Sequence, residues 1–409
     1  MTELNYEILR DAVAGGAVAL RSIMSLQPAE GEGGKVFPPT YSVNNRAEYA
    51  IEERQLADRV STTVLLDSVA SQANRAELAL LEGWEADELR FPVPFVDFSG
   101  EPDVSDIGQL TVLEAPHRLA DAIFRDSMLD GTLFRLSDIG RAITDARPRN
   151  ATAMFKYAPT ALLFGQWDST GPKGGLGAKF QRAYVSEVVG LDAKVGPKVS
   201  SRIDPLQIEK ASATIYEHQD IDKVWTLDVA DAAADKGKPK QVGKGDNLGR
   251  PSQINHGNVT PSIDALAGGV TISSARQMTV MSLAALRRLK FAGESREAAV
   301  AARTAVAALG VAAIAYGYEM DMDLRSRCLL VPEHSPSVEL VRRDGSAPTI
   351  VELGRETSAA LVGQAADAAT AVGIGWATEE IRLEPAPKLV DLLRRSREVS
   401  AREGAADDS

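Results

Sequence analysis

Residues 54–83 read "RQLADRVSTTVLLDSVASQANRAELALLEG". Val64, Leu65, Val69, Ala73 and Ala76 recur at helical spacing, so the stretch is expected to form one helix. Ser61, Thr62 or Thr63 can cap its start, because a short hydroxyl accepts from unpaired first-turn amides, and Gly83 can stop it. Upstream, "AVALRSIMSLQPAEGEGGKVFPPTY" opens as a strand and closes in a Gly/Pro loop. Downstream, residues 84–112 mix short strands with Pro and Gly, and "APHRLADAIFRDSMLDG" reads as a second helix ending near Gly131. "APTALLFGQWD" is nearly continuous in apolar residues, as a central strand is. "AYVSEVVGLDA" and "SATIYEH" are further strand candidates, the first also readable as a short helix.

Residues 235–262, "DKGKPKQVGKGDNLGRPSQINHGNVTPS", form a long loop in which lysines alternate with Gly and Pro and no apolar period is visible. Loops this long are usually functional or disordered. "GGVTISSARQMTVMSLAALRRLKF" follows as a strand running into a helix. Beyond residue 294 come an Ala-rich helix, the strand candidates "LRSRCLLVP", "VELVRR" and "TIVELG", and two helices, the last being "PKLVDLLRRSREVS". The tail 401–409 is expected to be disordered. The order fits an α+β fold of the ferredoxin-like, RRM-type class, carried by residues 1–294 with large insertions. Residues 295–409 then form a mixed α/β C-terminal extension.

The chain has 409 residues, 44% of them apolar, enough for a sizeable core. Its single cysteine, Cys328, rules out a disulfide framework or a cysteine zinc site within one chain and fits a reducing cytoplasm. The start "MTELNYEILRDAV" has no basic region followed by an apolar core, so no signal peptide is expected. Residues 298–318 are long and apolar, but Arg303 interrupts them and alanine dominates, which favours a buried or subunit-facing helix over a membrane span. The net charge of −12 argues against indiscriminate nucleic-acid binding. Arg141–Arg250, however, holds 17 Lys and Arg against 13 Asp and Glu, a local +4 that leaves −16 for the rest. Such asymmetry marks an interaction face or arises by chance along a charged surface.

"GPKGGLGAKF", residues 171–180, has the composition of a phosphate-holding loop. A P-loop needs G-x-x-x-x-G-K-[ST]; here Ala178 separates Gly177 from Lys179, Phe180 stands where a hydroxyl is needed, and Pro172 lies five before Gly177. The G-x-G-x-x-G spacing fails too. No two of His117, His218, His256 and His334 have zinc-ligand spacing, and no G-x-S-x-G elbow occurs. Glu319, Asp321 and Asp323 would share one strand face, as a magnesium site or as a solvated acidic edge. Cys328 reads as a buried structural thiol.

Nucleic-acid signals are better. Ser68, Ser71, Gln72 and Arg75 fall at i, i+3, i+4 and i+7, giving a polar helix face able to donate to phosphate or ribose oxygens, or an ordinary solvent face. In the glycine loop, Lys173, Lys179 and Arg182 supply charge where glycines allow close backbone approach. Phe180 and Tyr184 either stack a base or belong to the core. In the 235–262 loop, Lys236, Lys238, Lys240, Lys244 and Arg250 suit backbone contact, while Ser252, Gln253, Asn255 and His256 beside Gly257 suit a defined turn or 2′-hydroxyl contacts. A plain surface loop is the other reading.

"TTVLLDSVASQANRAE", "PHRLADAIFRDS", "PTALLFGQWDS", "GGLGAKFQRAYVSEVVG", "SRIDPL", "GRPSQINHGN" and "GGVTISSARQMTVMSLAALRRLKF" occur in this order. Together they resemble the RAMP-type backbone subunit of type I-G (formerly I-U) CRISPR effector complexes, a branch of the Cas-seven family, over roughly residues 55–292. The resemblance implies an RRM-like palm with finger and thumb insertions, shaped like a right hand, with several copies lined up along one CRISPR RNA. Each copy would hold a short spacer segment and present its bases to target DNA. It makes 235–262 the thumb candidate and assigns RNA contact to Ser68, Ser71, Gln72, Arg75, Lys173, Lys179, Arg182, Arg202 of "SRIDPL", Lys240, Lys244, Arg250, Asn255 and His256. It further implies Cas-five/six-type and large subunits and a nuclease-helicase as partners, with no catalysis, metal, cofactor or membrane. The alternative is a metal-dependent RNA endonuclease of the RAMP superfamily, with Asp204, Asp246 or the 319–323 cluster as its acids.

Overall fold

The computed structural model of the protein describes residues 2–44, 46–169, 179–264 and 268–407. The chain divides into two compact units: Met1–Lys194 with Gly269–Leu389, and Val195–Gly268 with Val390–Ser409. The first unit is built on a ten-stranded sheet. In chain order its elements are β1 (Thr2–Glu3), α1 (Tyr6–Asp11), β2 (Ala17–Pro28), β3 (Ile51–Gln55), β4 (Val60–Asp67), α2 (Val69–Glu85), β5 (Tyr184–Leu191) and β6 (Ser274–Ser282). Then come α3 (Arg296–Glu319), β7 (Met322–Asp323), β8 (Leu329–Pro332), β9 (Ser337–Arg342), β10 (Thr349–Glu352) and α4 (Arg355–Ala371).

The strands lie in the order β1-β10-β9-β2-β6-β5-β4-β3, with β8 joining β2 to β7. Among the described residues of this sheet, β1 with β10 is the one parallel pair. Two β-α-β units interleave here. β2, α2 and β5 enclose β6, and β6, α3 and β9 enclose β2. At the centre Leu20 pairs with Met281 and Ile23 with Met278, across the whole intervening chain.

The opening stretch is not one helix. Val60, Thr62, Thr63 and Val64 are β-branched and favour the pleat, so residues 60–67 form β4 beside β5, with Ser61, Thr63, Val64 and Leu66 buried. The helix starts only at Val69. Ser68, extended at φ −79° and ψ 162°, caps it by accepting from the Ser71 amide at 3.2 Å. "APTALLFGQWD" likewise departs from expectation: Pro159 opens a fully buried helix, Pro159–Phe164, that ends at Gly165 (φ 82°). The expected second helix breaks into a 3-10 turn at Arg118–Ala120, one turn at Ala122–Arg125 and a strand at Ser127–Leu129.

The Ala-rich α3 is the core helix; nearly every residue from Ala298 to Tyr316 is buried, beneath α2 and α4. Arg303 is accommodated because its guanidinium donates twice to the Leu289 carbonyl, at 3.1 and 2.6 Å. The small residue at Gly310 lets α3 pack close against the sheet: a Cβ there would lie 2.3 Å from Met281 Sδ of β6. No unit boundary falls at 294/295, because residues beyond it supply α3 and the strands that pair with β2. The tail, expected to be disordered, continues a helix from Pro387 to Asp407, in keeping with its Ala, Arg and Glu content.

Asp192, at the end of β5 with φ 53°, accepts from Arg59 at 2.7 and 2.8 Å, from Ser61 Oγ at 3.0 Å and from Ser273 Oγ at 2.7 Å. The Arg59 guanidinium and the Ser273 hydroxyl hold its carboxyl at about 2, against the usual 3.8. A lowered folded pKa stabilises above the unfolded value and is lost as pH falls through the folded one. The first unit is therefore expected to lose stability between pH 3.8 and about 2 through this group. Asp192→Asn should flatten that part of a stability–pH curve measured by denaturant unfolding, and an unchanged curve would refute the assignment.

The second unit pairs Lys198–Arg202 with Val259–Asp264 and has its own small core of Ile215, Val242 and Ile254. Two of these core residues lie inside 235–262, so that segment is not a structureless loop. The inserted unit is also longer than the segment expected, running from Val195 to Gly268.

Candidate nucleic-acid interface

After Gly165 the chain makes a two-residue antiparallel ribbon. Gln166 pairs with Phe180 and Trp167 with Lys179, closing the base of the glycine loop. Gly165 has to be glycine, since a Cβ there would meet the Arg182 backbone nitrogen at 2.9 Å. The ribbon register puts Trp167 and Lys179 side by side, with Lys179 Nζ 5.1 Å from the ring centroid. Trp167 is 57% exposed although it is a large aromatic.

Behind the ribbon opens a cleft of about 480 Å³, lined among others by Asn74 of α2, His117, Phe164, Trp167, Lys179 and Arg182. Lys179 and Arg182 are exposed and make no ion pair among the described residues. The deeper wall is rigid. Arg118 lies against the Phe164 ring and binds Glu77 through two hydrogen bonds of 2.6 and 2.7 Å, its third nitrogen donating to the Gly165 carbonyl at 2.9 Å. Glu77 is 1% exposed, and burial pushes its carboxyl up to about 7 against the opposing pull of Arg118. Arg118 is thus committed to the fold, and the usable charge of the cleft comes from Lys179 and Arg182. Phe180 and Tyr184 are each 4% exposed and belong to the core; Tyr184 packs edge-on to Phe164.

The polar face of α2 turns inward. Gln72, 3% exposed, donates to Asp67 Oδ2 at 2.6 Å and accepts from Ser186 Oγ and Gln277 Nε2. Arg75 donates to Asp67 at 3.1 Å and to the Leu324 carbonyl at 2.7 Å, and Arg325 also reaches Asp67. Ser68 is spent as the helix cap, with Ser71 above it. RNA contact by Gln72 would require this network to open. Lys173 lies outside the described residues.

Arg202, Lys240, Lys244, Arg250, Asn255 and His256 all fall in the second unit. Arg202 donates to the Gly257 carbonyl at 3.2 and 2.9 Å, and Lys240 pairs with Glu217 at 2.5 Å. Lys244 and Arg250 are exposed; Asn255 takes the left-handed conformation, φ 58°. Asp204 organises this turn by accepting from the amides of Gly257, Leu206 and Ile208. Its pKa is lowered: desolvation raises it, but these backbone donors outweigh that effect. Glu319 pairs with Arg355 at 3.1 Å, and no group of three His, Cys, Asp or Glu side chains gathers among the described residues.

Sequence reasoning picked out Lys179 and Arg182 but passed over Asn74, His117, Gln166 and Trp167. The available signal was the Trp of "FGQWDS" directly before a basic glycine loop; reading the run as a buried strand hid it.

Residues 20–195, which carry most of β2, all of β4, α2 and β5, and the residues that line the cleft, match the family described as CRISPR-associated protein GSU0053. That segment is similar to a CRISPR-associated subunit family of the Cas-seven type, as the sequence motifs indicated. Among solved structures, a chain of a CRISPR RNA-guided surveillance complex, pre-nicking, is similar at a TM-score of 0.29 and 12% identity, over 93% of this chain and 99% of that one. A TM-score that low does not establish a shared fold. No curated protein matches the sequence.

Proposed function

We propose that the chain is a non-catalytic, CRISPR-RNA-binding backbone subunit of a type I-G effector complex. Several copies line up along one guide RNA in the cytoplasm, beside Cas-five/six-type and large subunits, and present the spacer for pairing with target DNA. The ferredoxin-like palm is the set β9-β2-β6-β5 with α2 and α3; the two interleaved β-α-β units support this reading. The inserted unit Val195–Gly268 is the thumb.

The observation that carries the reading is the cleft. An exposed tryptophan and two cations that make no ion pair among the described residues stand together, within the segment similar to a CRISPR-associated family. Such a site suits single-stranded nucleic acid, where aromatic stacking and backbone neutralisation combine. Delegating sequence recognition to base pairing leaves the protein only shape and backbone to hold. Repetition along the guide multiplies weak contacts, so one subunit needs little net positive charge.

Lys179→Ala with Arg182→Ala should weaken binding of a single-stranded CRISPR RNA about tenfold and reduce the slope of log K against log salt by roughly 1.4, about 0.7 per lost phosphate contact. Fluorescence anisotropy across a salt series measures both, and an unchanged slope would remove the cleft from the interface. Cleavage of the RNA on adding magnesium, lost on replacing Asp204 or Asp246, would instead establish the endonuclease alternative.

A further inference from the structure

Two of the chain's four tryptophans, Trp84 and Trp376, stand partly buried in a groove of about 520 Å³ on the first unit, which shares no lining residue with the cleft. Leu89 and Phe91 extend its apolar surface, and Glu85 and Asp87 lie beside them. Thr378 also lines it, and the chain runs on from there through Glu379 and Glu380. Glu85, Glu379 and Glu380 are exposed and make no ion pair among the described residues, while Asp87 has Arg90 at 3.4 Å. Indole rings beside carboxylates that lack a cation are the setting in which an arginine side chain binds, over a ring face and against the acids.

The same chain carries a surface of the opposite kind. Beyond α4 come β11 (Arg382–Pro385) and α5 (Pro387–Asp407), with only Ala386 between them. In α5, Leu389, Leu392, Ser396 and Val399 fall at i, i+3, i+7 and i+10 and share one face. That face is uncovered: Leu392 is 64% exposed and Val399 48%. Residues 388–400 carry Lys388, Arg394, Arg395 and Arg397 against Asp391 and Glu398, and helical spacing sets Arg395 along one edge of the apolar stripe and Arg397 beyond the other. Arg394 and Arg395 pair with Asp391 at 2.5 and 2.8 Å, but such exposed pairs within a helix are weak and a partner's carboxylates can replace them. A basic helix with an open apolar stripe is what helix-in-groove recognition takes up.

We propose that α5 of one copy lies in the Trp84–Trp376 groove of the next, with Leu392 and Val399 against the indoles and Arg395 and Arg397 facing Glu85, Glu379 and Glu380. The proposal rests on the reading that copies line up along one RNA and adds the segment that joins them without RNA. A second copy is the occupant because one chain carries both halves of a complementary pair, basic and apolar on the helix, acidic and aromatic in the groove. With only Ala386 after β11, the helix has no linker with which to fold back over that strand. Helix and groove are different surfaces, so the contact is head-to-tail and leaves one of each free for a further copy. The groove holds a short length of helix, so free protein associates weakly, and the contact gains weight when copies sit side by side on one RNA.

The test follows the full chain, freed of nucleic acid, by sedimentation velocity over a concentration series. Arg395→Glu with Arg397→Glu reverses the helix, and Glu379→Lys with Glu380→Lys reverses the groove. Each variant alone should associate about tenfold more weakly than the parent, because like charges then meet. Mixed in equal amounts, the two should recover the parent's growth in mass, since each reversed helix finds a reversed groove and each unchanged helix an unchanged one. Trp84→Ala should lose about tenfold as well; it leaves α5 untouched and decides the matter if the helix variant does not fold. On poly(U), which seats several copies, the parent should bind with about tenfold greater cooperativity than either variant, while all of them bind a uridine hexamer alike. A parent that stays monomeric without RNA and binds poly(U) no more cooperatively than the variants would overturn the contact and leave RNA binding intact. Weakened single variants that do not recover on mixing would overturn the pairing of these two surfaces. A parent that binds neither RNA would overturn the functional reading, and the sedimentation result would still decide the contact.

Discussion

Arg118→Ala is expected to destabilise the first unit by about 3–5 kcal/mol, because it leaves a buried carboxyl without its ion-pair partner. Glu77 and Arg118 are 1% and 5% exposed, and the guanidinium also supports the Gly165 carbonyl from which the Gln166–Trp167 ribbon begins. Arg118 itself holds an unfavourable φ of 53°, a local strain that the three hydrogen bonds offset. The loss should depend on pH. Burial already places the Glu77 pKa at about 7 with Arg118 in place; without the guanidinium that lowers it, the value rises further. A raised carboxyl pKa means that the protonated form is favoured by folding, so its stabilising contribution is present below the unfolded pKa and is lost as pH climbs through the folded one. Urea unfolding of the variant should therefore show a smaller deficit at pH 5 than at pH 8. Glu77→Leu with Arg118→Met, which replaces the pair by apolar groups of similar length, should recover most of it. A pH-independent deficit below about 1 kcal/mol would mean the pair is a bystander.

Gly83→Ala should cost about 2 kcal/mol, although alanine favours helices. A Cβ at Gly83 would stand 2.5 Å from Tyr316 Cε1 and 2.8 Å from Leu89 Cδ1. Tyr316 has nowhere to go: it is 1% exposed, its hydroxyl donates to Glu88 at 2.8 Å, and Arg355 lies 4.4 Å above its ring. Gly317→Ala on α3 is the matched control, since nothing lies within 4 Å of its Cβ. There only helix propensity changes, and a gain of up to about 1 kcal/mol is expected. Chemical denaturation of the two variants side by side should give opposite signs, and equal signs would show that the α2–α3 crossing is looser than described.

The α+β class was legible because β2 and β6 read as strands, β5 as a strand or a short helix, and the Ala-rich α3 as a helix. What misled lay where two elements abut. Val64 and Leu65 belong to β4, yet they continue the spacing of Val69, Ala73 and Ala76 in α2, so a strand and a helix joined through Ser68 imitate one helix. "APTALLFGQWD" misled for a different reason: a helix buried on every side loses the polar stripe that would betray its period. In the candidate site, charge was visible and burial was not. Lys179 and Arg182 could be chosen as cations in a glycine-rich context. That Gln72 is consumed by Asp67, Ser186 and Gln277 depends on strands far apart in sequence, which no local pattern reports.

The neighbours of β2 carry a consequence for biogenesis. This strand leaves the ribosome early, yet its partners β6 and β9 begin only at Ser274 and Ser337. At roughly 5–20 residues per second, a nascent chain waits on the order of ten seconds or more with Leu20, Met24 and Leu26 exposed along an unpaired edge. An early strand with late partners invites pairing with other nascent chains, so accumulation of this protein in the cell should depend strongly on chaperone capacity and on the pace of translation.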